Sequence, residues 1–307
     1  MERIAFLGNI SIAGKIMLLL GLILICTLLT AFGGLLLGNL YLDVDIAELG
    51  GYISKPETNE AIAFTKFYQF LNQLGAFILP VLLFSFLVSQ QPMSYLKLIE
   101  RPKTIVFSVS FLIIFAILPF VNYLEDLNQG LALPEFLSNI EEWMSDKELH
   151  AAYLTEIIIK TDTFPGLLLN LFIVAFVPAI GEELLFRGIL VRLMNDLTKN
   201  VHWAVIISAL LFSAFHMQFY GFLPRFVLGL VLGYLFVFTR NLLVPIFVHF
   251  VNNAAAVIVF NLHHNGFIKV SMDDFGSANN SIYIIGSLLI TLWFMSIIYK
   301  KERFSFQ

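Results

Sequence analysis

Eight stretches of this chain are each apolar over about the length that a helix needs to cross a bilayer. They lie at about 16–38, 67–88, 104–124, 164–197, 202–217, 222–239, 242–261 and 281–299, and a span takes about 20 mostly apolar residues. Hydrocarbon offers backbone groups no water, so a spanning segment has to satisfy its own N–H and C=O groups, and runs of this length do so as helices. The expected fold is therefore all-α: a polytopic membrane protein of about eight transmembrane helices. The fifth and sixth stretches are short, and the Gly221/Pro224 region separates them. Composition points the same way. Of the 307 residues, 59% are hydrophobic and 13% charged, against about 25% charged in soluble domains. A net charge of -4 argues against a nucleic-acid partner and leaves the lipid bilayer as the surrounding partner. The single cysteine, Cys26, lies in an apolar run and reads as packing. The first run follows Arg3 and Lys15 but is longer than a signal-peptide core, so it reads as a retained span.

The whole chain reads as one membrane domain. Residues 125–162 are the longest polar connection, acidic and suited to short surface helices. Orientation follows the basic residues. With the N-terminus in the cytoplasm and eight crossings, twelve of the 18 Lys and Arg, counting Arg3 and Arg187, fall on the cytoplasmic side and six on the other. Both termini are expected in the cytoplasm.

Ionisable groups inside hydrocarbon cost about 2.5–3.5 kcal/mol each on insertion scales and mark functional sites by default. His150, His202, His263 and His264 lie in loops or at span ends and read as solvated. His216 and His249 lie within apolar stretches, as do Glu182, Glu183, Arg187, Asn252 and Asn253. Glu183 and Arg187 are four residues apart, on one helix face, where carboxylate and guanidinium can pair. Glu182 points about 100° away around the helix, without that partner and turned toward other helices. His249 and Asn253 are again four apart and share a face. Pro178, four residues before Glu182, is expected to kink its helix. Counted along the helices, Glu182, His216, His249 and Asn253 fall roughly 10–22 Å below the cytoplasmic surface, on three helices that can share a cavity. Polar residues in membranes also serve as helix–helix glue, which is the plainer reading for Asn252 and for the Glu183–Arg187 pair. Two histidines, a carboxylate and an amide are better suited to catalysis.

These residues resemble the signature of the CAAX-protease and bacteriocin-processing (CPBP, or Abi) family. Its pattern is Glu-Glu-x-x-x-Arg, then Phe-x-x-x-His, then His-x-x-x-Asn on successive membrane helices. Here it reads Glu182-Glu183-x-x-x-Arg187, Phe212-x-x-x-His216 and His249-x-x-x-Asn253. The resemblance makes 164–261 a catalytic core, 1–163 a set of N-terminal helices without a matched motif, and 262–307 a loop and last helix. It implies a conical intramembrane cavity and proteolysis of a membrane-bound protein or peptide, either CAAX-type or leader-type processing. By that carry-over Glu182 is the general base, His216 helps hold the attacking water, His249 and Asn253 form the oxyanion hole, and Glu183 with Arg187 orders the site. Family members have been called metalloproteases. Glu182, His216 and His249 would also suit zinc with a bound water, but there is no His-Glu-x-x-His segment, and the metal-free mechanism is the one favoured.

Two other functions fit a polytopic protein of this kind. A catalytically silent scaffold or immunity protein does not need His249 in line with Asn253. A proton-coupled transporter could use Glu182 and His216 as a relay, but such carriers often carry inverted repeats, and none is visible. Ser208 and Ser213 lie near His216, where helix serines usually bond their own backbone.

Overall fold

The computed structural model describes residues 5–131, 133–272 and 274–303. Arg3, which entered the orientation count, lies outside the described residues. No strand occurs among the described residues, and ten helices carry the fold. They are α1 (Ile12–Leu42), α2 (Ile46–Ser54), α3 (Asn59–Val88), α4 (Thr104–Gln129), α5 (Ser138–Ile159), α6 (Phe164–Thr198), α7 (Val201–Phe215), α8 (Phe222–Thr239), α9 (Leu243–His264) and α10 (Ser281–Arg303). Seven of these are long and apolar enough to cross a membrane: α1, α3, α4, α6, α8, α9 and α10.

The eighth expected span is shorter than the sequence suggests. α7 has 15 residues, about 22 Å at 1.5 Å per residue, against a hydrocarbon core of about 30 Å. It starts well, since Asn200 Oδ1 accepts from the His202 and Trp203 N–H groups at 2.9 and 3.3 Å. It stops early because Met217 takes a left-handed φ of 52°, and the chain turns back through 216–221 into α8. His216 is therefore the C-cap residue of α7, not a residue inside a span.

Backbone groups in such a turn need partners at membrane depth, and distant side chains supply them. The Asn128 Nδ2 donates to the Phe219 carbonyl at 2.7 Å, and its Oδ1 accepts from the Leu223 N–H at 3.0 Å. Glu148 Oε2 accepts from the Tyr220 N–H at 2.8 Å. Ser213 Oγ donates to the Phe222 carbonyl at 2.6 Å, and Ser208 Oγ to the Phe186 carbonyl at 3.0 Å. Both serines thus bond neighbouring segments rather than their own helix.

Contacts between helix ends sort the bundle into two faces. At one face the Leu7 N–H meets the Leu87 carbonyl, the Leu242 N–H meets the Lys97 carbonyl, and Lys103 Nζ lies 3.6 Å from Glu302 Oε1. At the other, the Asn261 and Asn265 amides both donate to the Thr161 carbonyl, and the Asn122 amide to that of Phe275. The starts of α1 and α4 and the ends of α3 and α10 share the first face. The polar connection 125–162 holds the end of α4 and one long helix, α5, rather than several short ones. His150 is on α5, not in a loop.

Two apolar cores meet at α8. One is built from α1, α3, α6 and α7, with Phe84, Leu193 and Phe212 almost wholly buried. The other joins α4, α8, α9 and α10 around Ile113, Leu232 and Val248. α7 and α8 approach closely because Gly229 and Gly233, four residues apart, face Ala209 and Val205. A Cβ on Gly229 would lie 3.1 Å from that of Ala209, and one on Gly233 2.8 Å from a Val205 methyl. Small residues spaced this way are a familiar means of bringing membrane helices together.

Candidate active site

The site is built on α6, whose hydrogen-bond register shifts on both sides of the glutamates. Residues Leu171–Phe176 and Leu184–Leu190 are π-helical turns. In the first, the Val177 N–H reaches back five residues to Phe172, and Pro178, which has no N–H, follows at once. The expected kink at Pro178 is thus a local widening of the helix. α3 does the same opposite: Leu74–Ile78 is a π turn, with Pro80 just beyond. Such turns cluster at functional sites because they re-aim the side chains that follow. The two irregular stretches pack together at Gly181, where a Cβ would lie 2.9 Å from that of Phe77. Glycine before Glu182 allows that close approach.

Glu183 and Arg187 are fully buried and paired as the spacing required, with Arg187 Nη1 donating to Glu183 Oε1 at 2.7 Å. Arg187 Nη2 donates to the Gly229 carbonyl at 2.9 Å, and its guanidinium lies 4.7 Å from the Phe212 ring centre. The same Glu183 oxygen also meets His249 Nδ1 at 2.9 Å. A carboxylate held by Arg187 can only accept, so His249 Nδ1 carries a proton and donates it to Glu183, leaving Nε2 turned toward Glu182. That bond was not visible in the sequence, which assigned Glu183 to Arg187 alone.

Glu182 lies beside this pair and is also buried. Its Oε2 is 3.9 Å from His216 Nε2 and 3.8 Å from His249 Nε2, and it is enclosed without a hydrogen-bond partner. His216 is oriented like His249: its Nδ1 donates to the Phe212 carbonyl at 2.8 Å, turning the Nε2 lone pair toward Glu182. Separations just beyond hydrogen-bond length are those a shared water spans. The three expected residues therefore converge from α6, α7 and α9.

Asn253 stands one turn along α9 from His249 and is half-buried. Its Oδ1 accepts from Asn252 Nδ2 at 3.3 Å, so its own Nδ2 points elsewhere as a donor. Asn252 thus bonds the adjacent residue of α9 rather than another helix.

Phe212 has a part that the sequence did not assign. Its buried ring meets His216 and His249 edge-on, with centroids 5.0 and 5.8 Å away, and Phe186 at 5.3 Å. It fixes the planes of both histidines while offering its face to Arg187. Gly229 was missed as well. Its signal was Gly229-x-x-x-Gly233, which marks a close helix contact and so a carbonyl within reach of a neighbour.

The residues that would hold a zinc ion are Glu182, His216 and His249. Each histidine bonds a carbonyl or carboxylate through Nδ1, as metal-binding imidazoles do. Ligands at about 2.0–2.1 Å around a tetrahedral ion stand roughly 3.3–3.4 Å apart, closer than the separations here, and no group of three such side chains among the described residues forms a metal-holding cluster.

Residues 164–255 match the family model described as Rce1-like, type II CAAX prenyl endopeptidase Rce1-like. Over this segment, under a third of the chain, the protein is similar to type II CAAX prenyl endopeptidases. The matched segment contains Glu182, Glu183, Arg187, Phe212, His216, His249 and Asn253, and ends two residues past the last of them. No curated protein and no solved structure matches the chain. α1 to α5, nearly half the chain, lie outside the matched segment, yet α3 and α4 hold Gly181 and the 216–221 turn in place.

Proposed function

We propose that this protein is an intramembrane endopeptidase that hydrolyses a peptide bond of a membrane-associated protein or peptide of the CAAX type. The observation that carries the reading is the unpartnered Glu182 oxygen, held 3.8–3.9 Å from two imidazole Nε2 atoms in a buried site. A water between Glu182 and His216 donates one hydrogen to each and turns an oxygen lone pair toward the substrate carbonyl. As that oxygen bonds to the carbonyl carbon, Glu182 takes its proton. The developing oxyanion is met by the Asn253 Nδ2–H, and by His249 Nε2–H when the ring carries both protons. Glu182 then passes its proton to the amide nitrogen, the C–N bond breaks, and a carboxyl and an amine leave.

A zinc reading would place Glu182, His216 and His249 around the ion, where it would supply an acidified water, but their separations of 3.8–3.9 Å do not fit it. The basic-residue count supports cytoplasmic placement of the face that holds the ends of α3 and α10.

The test is cleavage of a quenched fluorescent peptide ending in a prenylated CAAX sequence, by purified protein in detergent. Glu182→Gln should lower kcat by about 10²–10⁴, the worth of a general base, with folding intact. Equal cleavage by wild type and Glu182→Gln would sink the proposal.

A further inference from the structure

A cavity of about 470 Å³ lies between α3, α5, α6 and α7, the size of an ordinary small-ligand site. α5 roofs it with an apolar stripe, Ala151, Leu154, Ile158 and Ile159, at helical spacing. The opposite wall, on α3, mixes Tyr68, Ala76 and Phe77 with three side-chain amides. Along α3, Gln69, Asn72 and Gln73 line the space. The amide oxygens of Gln69 and Gln73 are buried without a hydrogen-bond partner. Unpaired buried amides cost stability, and two of them on one wall, four residues apart, suggest that something outside the chain pairs with them.

The cavity lies beside the catalytic residues without being lined by them. Phe215, which lines it, precedes His216, and Phe77 meets that ring edge-on at 5.2 Å. Gln73 Oε1 would lie 3.7 Å from a Cβ on Gly181, the residue before Glu182.

The spacing identifies the occupant. Residues four apart on a helix are offset by about 6 Å. In an extended peptide, alternate residues present their backbone groups to the same side about 6.6–6.8 Å apart. A lipid chain would match the apolar roof and leave both amides unpaired. We infer that this cavity holds the substrate in extended form, with Gln69 and Gln73 as positioning residues that hydrogen-bond the backbone of two alternate residues beside the scissile bond. The inference rests on the endopeptidase reading and gives the helices before residue 164 a part in substrate recognition.

The experiment compares wild type, Gln69→Leu and Gln73→Leu on the prenylated CAAX peptide, and on versions in which one backbone amide at a time is replaced by an ester. Each variant should raise KM roughly 3- to 10-fold, the worth of one neutral hydrogen bond, with kcat little changed. Its melting temperature should not fall, since leucine removes an unpaired amide. One ester position should cost wild type the same factor and cost Gln73→Leu nothing more, and the position two residues away should behave likewise with Gln69→Leu. Unchanged KM in both variants, or a loss in kcat accompanied by early melting, overturns the inference while leaving the endopeptidase reading intact, provided that Glu182→Gln is silent. If every ester position costs wild type and variants alike, the pairing is wrong. If wild type cleaves no peptide at all, both readings fall together.

Discussion

Replacing Glu183 with Gln tests how the charges of the site are divided. Glu183 and Arg187 are both fully buried, and one carboxylate oxygen accepts from Arg187 at 2.7 Å and from His249 at 2.9 Å. Glutamine offers one oxygen to those two donors and turns an N–H₂ into the same space. Arg187 keeps the Gly229 carbonyl and the Phe212 face, but the carboxylate paired with it is gone. Removing one partner of a buried ion pair costs about 3–5 kcal/mol, because the other charge stays behind without compensation. Glu183→Gln should therefore melt early in detergent as well as lose activity, the latter because His249 Nδ1 has lost its carboxylate. The double variant Glu183→Gln/Arg187→Met removes the stranded charge and should recover much of the lost stability without recovering turnover. The assay is a melting curve beside peptide cleavage for the three proteins and Glu182→Gln. A stable, inactive Glu183→Gln together with an early-melting Glu182→Gln would mean that the two carboxylates have been assigned the wrong way round. If the double variant melts no later than the single one, the buried-charge argument fails.

Asn128→Leu should destabilise the 216–221 turn by about 1–3 kcal/mol for each backbone group left unpaired, and His216 with it. A kcat unaffected in a fully folded variant would show that the turn does not depend on α4. Activity should persist in strong chelator if Glu182 and His216 activate water directly; loss of activity that stoichiometric zinc restores would move His216 and His249 to ligation. A single cysteine placed near Gln307, in a background without Cys26, should resist an impermeant reagent until the membrane is opened, and labelling of intact cells would reverse the orientation.

The amino-acid sequence by itself determined what depends on neighbours along one helix. Long apolar runs need hydrocarbon, so most of the spans could be read directly. The Glu183–Arg187 pair could be read too, since four residues make just over one turn and bring the two side chains to one face. His249 and Asn253 share a face for the same reason. What only the tertiary structure decided lies between helices. That Glu183 also holds His249, fixing which ring nitrogen faces Glu182, depends on how α6 and α9 sit in register. No local spacing states that register, since it joins residues 66 apart in the chain; the close approaches at Gly181, Gly229 and Gly233 set how α6 meets α3 and how α8 meets α7. The early end of α7 was hidden because its turn is satisfied by Asn128 and Glu148, some 70–90 residues away in the chain. The amides of α3 show no pattern against their own helix, and gain meaning only where α5 and α7 close a cavity beside them.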